Sequence, residues 1–158
     1  MRRIVGLLGV ALVVAMVSVA GAQEVKDYKW DGRVDIPDVD PVGASAEIFV
    51  DEFKEILDLD VDVIIQHSWQ GDLQVELLHV DSGISALLMD RPGEPEVGAF
   101  GFDNDNIGNP ASGEKFIFDD EAAFPYDFGS PGAPVDNPVG RWQSDTDPLS
   151  VFDGDDKY

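Results

Sequence analysis

The residues best suited to chemistry fall into a few groups. His67 and His79 are the only histidines in the 158 residues, and there is no cysteine. A serine hydrolase needs Asp, His and Ser in one constellation, with the nucleophile on a sharp turn. The nearest pattern, Gly83, Ile84, Ser85, Ala86 and Leu87, lacks the second glycine of a nucleophile elbow and sits in hairpin-like sequence. His67 falls on the apolar side of an alternating stretch, which suits a hydrogen-bonded core histidine rather than a base. Two distant histidines without cysteine also do not make a zinc set. The oxygen-rich clusters differ. Asp103, Asn104, Asp105 and Asn106 offer closely spaced oxygens, and Asp119, Asp120 and Glu121 are three carboxylates in a row. Calcium takes about six to eight such ligands, although the fixed glycine and the final Glu of an EF-hand are missing. Asp103, Asp105, Asp119, Asp120 and Glu121 are therefore the candidate calcium ligands. A solvated acidic loop has the same composition, and these residue types alone leave both readings open.

The elements that must position these groups centre on residues 59–78. Leu59, Val61, Val63, Ile65, His67 and Trp69 share one parity, while Asp60, Asp62, Gln66, Ser68 and Gln70 hold the other. That pattern predicts a half-buried strand with Trp69 inward and Gln70 outward. Gly71 and Asp72 then read as a bend or bulge, with Asp72 accepting backbone N–H groups there. Beyond it Leu73, Val75 and Leu77 alternate with Gln74 and Glu76. Asp81, Ser82 and Gly83 predict a hairpin turn into a strand over residues 84–89, and Asp90, Arg91, Pro92 and Gly93 end it with turn chemistry. Residues 116–118 read as a short strand. Residues 129–148, rich in proline, read as irregular. Residues 45–58 fit a strand over 46–50 and, equally, a helical spacing of Phe49, Phe53, Ile56 and Leu57. Several short strands separated by turn signals predict an all-β sandwich of jelly-roll type.

Charge narrows the partners. Ten basic residues face thirty-two acidic ones, giving a net charge of −22. Nucleic acid and anionic membranes both require Lys and Arg to neutralise charge, so neither is an expected partner. The chain opens with Arg2, Arg3 and an apolar run, followed by Ala20, Gly21 and Ala22. This predicts a signal peptide over residues 1–22, export to the cell exterior or surface, and no membrane insertion after cleavage. Residues 23–44 read as an acidic lead-in with at most one edge strand, and residues 45–158 as one domain. An exported domain without disulfides gives bound metal an obvious role as a substitute staple.

His67, Trp69, Gly71, Asp72, Leu73, Val75 and Leu77 together make a segment that resembles the H-T-x-x-G-D-L-x-V-x-L signature of the P domain, also called the proprotein convertase or Homo B domain. The similarity continues in Leu88, Met89, Asp90, Arg91, Pro92 and Gly93. It extends through Asp105, Asn106 and Ile107, then Phe118 to Ala122, and finally the 148–154 segment. This resemblance implies a jelly-roll-like β-sandwich of the kind found beside subtilisin-like catalytic domains and on other secreted bacterial proteins. His67, Trp69, Gly71, Asp72, Leu73, Asp90 and Arg91 would be its structural motif. Two departures stand out. The family pattern continues after its Phe-Asp-Gly segment into G-x-W-x-L-x-V-x-D, a final core strand, which is not reached by Tyr158. Asn137, Pro138, Val139, Gly140, Arg141 and Trp142 resemble part of that ending but precede the 148–154 element, so they are expected to be loop.

Three functions follow as expectations. The first is a non-catalytic, calcium-stabilised domain that stabilises or binds a partner protein, either a subtilisin-like serine peptidase or a surface protein. The second is a fragment of a serine endopeptidase precursor, against which stands the short distance from the leader to the domain. The third is a surface carbohydrate-binding module, with Trp30, Trp69 or Trp142 stacking on sugar.

Overall fold

Alternation in the central stretch becomes a short strand and then a turn. A computed structural model of the protein describes residues 24–37, 42–51 and 54–154. The expected leader and Phe53, part of the helical spacing, lie outside them. The chain divides into two units, Met1–Asp51 and Glu52–Tyr158, seven residues beyond the boundary read from composition. In the first unit the described residues form neither strand nor helix, and the described part of residues 45–58 follows neither reading.

The second unit is β-rich. It holds β1 (Val61–Val63), β2 (Gln74–His79), β3 (Ile84–Asp90), β4 (Phe116–Phe118) and β5 (Gly140–Trp142), with single 3-10 turns at Gln70–Asp72 and Leu149–Phe152. β1 pairs antiparallel with β4, and β4 pairs parallel with β5, while β2 and β3 form a separate hairpin. Gly83, at φ 75, turns that hairpin as its sequence predicts. The long strand expected over residues 59–69 is shorter, reduced to three residues and a lone bridge from Ile65 to Ile107. Residues 137–142 correct the expectation of loop. Gly140–Trp142 is a strand because it pairs in parallel with β4, and Trp142 then stacks on Phe116 at 6.1 Å and edges onto Tyr126 at 5.1 Å. Among the described residues no helix is long and apolar enough to cross a membrane.

Both sheets feed one core. Ala86, Leu88 and Met89 of β3 join Phe116 and Phe118 of β4, together with Leu73, Phe102, Ile107, Tyr126, Leu149 and Phe152. Each large apolar side chain fully withdrawn from water stabilises by about 1.5–3 kcal/mol, so these residues supply most of the driving force.

Residues 65–73 are zipped to residues 102–107 by backbone bonds. Ile65 and Ile107 exchange two at 2.8 and 2.9 Å, the Asn106 amide donates to the His67 carbonyl at 2.8 Å, and Gly71 donates to the Phe102 carbonyl at 2.9 Å. The close approach explains the glycine at 71. A Cβ there would overlap the Phe100 carbonyl and stand 2.7 Å from both the Gly101 Cα and the Phe102 nitrogen. Gly71→Ala should therefore cost about 1–3 kcal/mol by overpacking, measured as a fall in urea midpoint with an unchanged m-value. A midpoint equal to the parent's would show that the two backbones are not in contact.

Candidate functional site

Three polar centres surround the core. The first is Gln70, which is fully buried although the alternation places it outward. The 3-10 turn at Gln70–Asp72 breaks the two-residue period, swinging Gln70 in and Trp69 out. The Gln70 Nε2 amide lies 3.1, 2.5 and 3.0 Å from the carbonyl oxygens of Asp105, Asn106 and Val135. Its Oε1 accepts from the Tyr126 hydroxyl at 2.8 Å. That hydroxyl in turn accepts from the Val135 amide at 3.1 Å. One glutamine thus ties together the turn, the 105–106 segment and the 126–135 loop. Sequence reasoning missed it, since a glutamine in a polar phase next to Gly and Asp looks solvent-facing.

Trp69 is corrected with it. It is 38% exposed, and its indole N–H donates to the Phe100 carbonyl at 2.6 Å. Asp72 is also exposed, and its carboxylate accepts no bond from the backbone of the bend among the described residues. Instead the turn closes through its own backbone, with Leu73 donating to the Gln70 carbonyl at 3.0 Å. His67 is half-buried and not part of the buried core. Its Nδ1 is 2.7 Å from the Trp69 carbonyl and 3.1 Å from the Trp69 amide, and a ring of either tautomer satisfies only one of them at a time. His79 Nδ1 lies 2.8 Å from Ser82 Oγ, which accepts the Ile84 amide and so caps the hairpin turn. Arg91 sits at φ 52 in the turn after β3, and its amide donates to the Leu73 carbonyl at 2.9 Å. Asp90 Oδ1 accepts from Gln74 Nε2 at 2.7 Å.

The second centre is Asp119, buried at the end of β4. Its Oδ2 accepts from Arg141 Nη1 at 2.6 Å, and Arg141 also bridges to Asp60 at 2.9 Å. Oδ1 accepts from the Glu121 amide at 2.8 Å. Burial pushes the Asp119 carboxyl up, but the Arg141 guanidinium and bonds from Glu121 outweigh it and hold the carboxyl below its ordinary value. Its bond with Asp119, and then the Asp58 charge, raise the Glu121 carboxyl. Neighbouring Asp120 accepts from the Leu149 and Ser150 amides at 2.9 and 2.7 Å, satisfying the start of the second 3-10 turn.

These bonds bear on the five candidate calcium ligands. Asp119 and Asp120 have carboxylates engaged by protein donors, while Asp103, Asp105 and Glu121 are exposed. Among the described residues no group of three or more His, Cys, Asp or Glu is placed to hold a metal ion. In the 103–106 segment the organising carboxylate is Asp136. It accepts from the Asp105 amide at 2.9 Å and Asn104 Nδ2 at 3.1 Å, and these two bonds lower its carboxyl.

The third centre is Asp145. Its two oxygens accept from the Asp90 amide at 3.2 Å, and its own amide donates to the Leu88 carbonyl, closing residues 144–147 over the outer edge of β3. Burial raises the Asp145 carboxyl, more than bonds from Asp90 and Thr146 lower it, and the charges of Asp127 and Asp90 add to the rise. A carboxyl whose folded-state value lies above its unfolded one favours the protonated fold. Its contribution to stability is fully present at pH below its unfolded value and is lost as pH rises through its folded one. Asp145→Asn keeps an acceptor oxygen and removes that charge, so it should raise the melting temperature at pH 7 and leave it unchanged near pH 3. Equal or lower melting temperature at pH 7 would contradict the assignment.

The tryptophans offered for sugar stacking are unevenly placed. Trp142 is packed among Phe116 and Tyr126, Trp69 is tied to Phe100, and Trp30 is 42% exposed in the first unit. Comparison with protein-family models, with curated proteins and with solved structures finds no match to this chain.

Proposed function

We propose that this chain is an exported, non-catalytic domain of the P or Homo B kind, a jelly-roll-like β-sandwich that stabilises or binds a partner protein such as a subtilisin-like serine peptidase. One observation carries the reading. The five segments that resemble the family each send side chains into the same core: Leu73, Leu88 and Met89, Ile107, Phe118, and Leu149 with Phe152. Motif residues used this way build a scaffold, and a scaffold acts through its surface. His67 and His79 are both engaged in local turns, which supports a role without turnover.

The test pairs the full chain with a subtilisin-like catalytic domain expressed without its own P domain. Sedimentation should show a complex, and the catalytic domain should lose activity more slowly on heating when the chain is present. Absence of a complex together with an unchanged inactivation rate would overturn the reading. So would peptide hydrolysis by the purified chain alone.

Calcium belongs to this proposal as a stabiliser. Its support is the charge of −22 with carboxylates gathered at residues 103–105 and 119–121. A cation bound only by the fold stabilises by about 2.7 kcal/mol at a hundred times its dissociation constant. Calcium should therefore raise the melting temperature above that in a sodium salt of matched ionic strength, and Asp103→Asn with Asp105→Asn should reduce the difference more than Asp31→Asn does. Equal melting temperatures in the two salts would remove calcium from the account.

A further inference from the structure

Among the described residues strand β2 is paired along one edge only, and the far side of β3 shows which way each of its residues points. The Leu87 amide donates to the Asp147 carboxylate at 2.9 Å, and its carbonyl accepts from the Asp147 amide at 3.0 Å. The Asp90 amide goes to Asp145. Leu87 and Asp90 thus direct backbone groups away from β2. Glu76 opposite Leu87 and Gln74 opposite Asp90 are therefore non-hydrogen-bonded pairs of the antiparallel ladder, and by alternation so is Leu78 opposite Ser85. The N–H and C=O groups of Gln74, Glu76 and Leu78 face outward, and none has a hydrogen-bond partner among the described residues. Leu78 and Val80 at the same end are 53% and 72% exposed, with Glu76 and Asp81 exposed beside them.

An open edge of this kind is a template for another strand. A second copy of the chain is a poor occupant, since each copy carries −22 and like charges across a ladder repel. The same charge steers a cationic segment inward and rewards a Lys or Arg set across from Glu76. We infer that the free edge of β2 docks an extended, cationic segment of a partner protein, with backbone bonds to Glu76 and Leu78 and an apolar residue against Leu78 and Val80. This deepens the protein-binding reading by naming its surface, and rests on that reading only for who supplies the segment.

Three synthetic ten-residue peptides probe it against the isotopically labelled full chain: alternating Lys and Val, alternating Glu and Val, and the Lys-Val sequence interrupted by proline. The Lys-Val peptide should bind, shift the Glu76 and Leu78 amide resonances and slow their exchange, while the other two bind at least tenfold more weakly. Leu78→Pro removes one outward N–H and keeps the bonds to β3, because proline is tolerated at such edge positions. With β3 resonances unchanged, it should weaken binding at least tenfold, whereas Leu78→Thr, which keeps the N–H, should weaken it less. Equal binding of the Glu-Val or proline-bearing peptide, undiminished binding by Leu78→Pro, or self-association through Leu78 would each overturn the docking strand. A peptidase complex that persists in Leu78→Pro would overturn it too, leaving the partner-stabilising reading intact.

Discussion

Replacing Gln70 with Met should cost about 3–5 kcal/mol, a large part of the stability of a domain this size. Volume is nearly conserved, so the loss is polar. The carbonyls of Asp105, Asn106 and Val135 lose a shared donor, and the Tyr126 hydroxyl loses an acceptor, around a side chain that is itself fully withdrawn from water. Tyr126→Phe removes the other half of the node and should cost about 1–2 kcal/mol, by leaving Gln70 Oε1 and the Val135 amide short of a partner. The double variant should be less destabilised than the sum of the two singles, since each single change strands what the other removes. Urea titration of all four proteins reads this directly. Strictly additive losses would show that Gln70 and Tyr126 do not act as one node.

Arg141→Met should be the next most damaging change, smaller than Gln70→Met. Asp119 is left buried without its cation, a loss that runs to about 3–5 kcal/mol for fully buried pairs. The Arg141 side chain is 54% exposed, and solvent screening puts this pair lower. The pH dependence carries the sign. Asp119 has a depressed carboxyl, so its contribution is present above the unfolded carboxylate range and disappears as pH falls through its folded value. The parent should therefore lose stability on acidification over a span where Arg141→Met loses less, and the two denaturation curves should converge at low pH. A constant gap down to pH 2 would mean that Arg141 acts by packing and not by charge.

Much of the β pattern was legible in the residues. Leu59, Val61, Val63 and Ile65 turn inward while Asp60 and Asp62 turn outward, and the hairpin around Gly83 and the strand at residues 116–118 lie where alternation and turn chemistry put them. Reading failed where the period broke. A 3-10 turn at residues 70–72 reverses the phase for Trp69 and Gln70, and only tertiary partners on residues 105, 106, 126 and 135 reveal why a glutamine is worth burying. β5 escaped because three residues containing Gly and Arg have no alternation to show, and its strand character comes from β4 beside it. The acidic groups followed the same logic. Asp119 and Asp120 stood out as a run, yet what distinguishes them is Arg141 and the amides of Leu149 and Ser150, more than twenty residues away. Asp145 and Asp136 gave no signal at all, since an isolated aspartate among prolines and serines reads as a solvated loop.

Native-state amide exchange is the most direct measurement of whether the Gln70 turn locks the resembling segments into one scaffold. The Gly71, Phe102 and Ile107 amides, bonded to the carbonyls of Phe102, Pro92 and Ile65, should exchange only through global unfolding. Their opening free energies should equal that of the Asp119 amide, which is bonded to Trp142 in the sheet, and all should fall together in Gln70→Met. If Gly71 and Phe102 instead open locally, at free energies well below that of Asp119 and untouched by the substitution, the turn is a surface feature and the scaffold is held elsewhere.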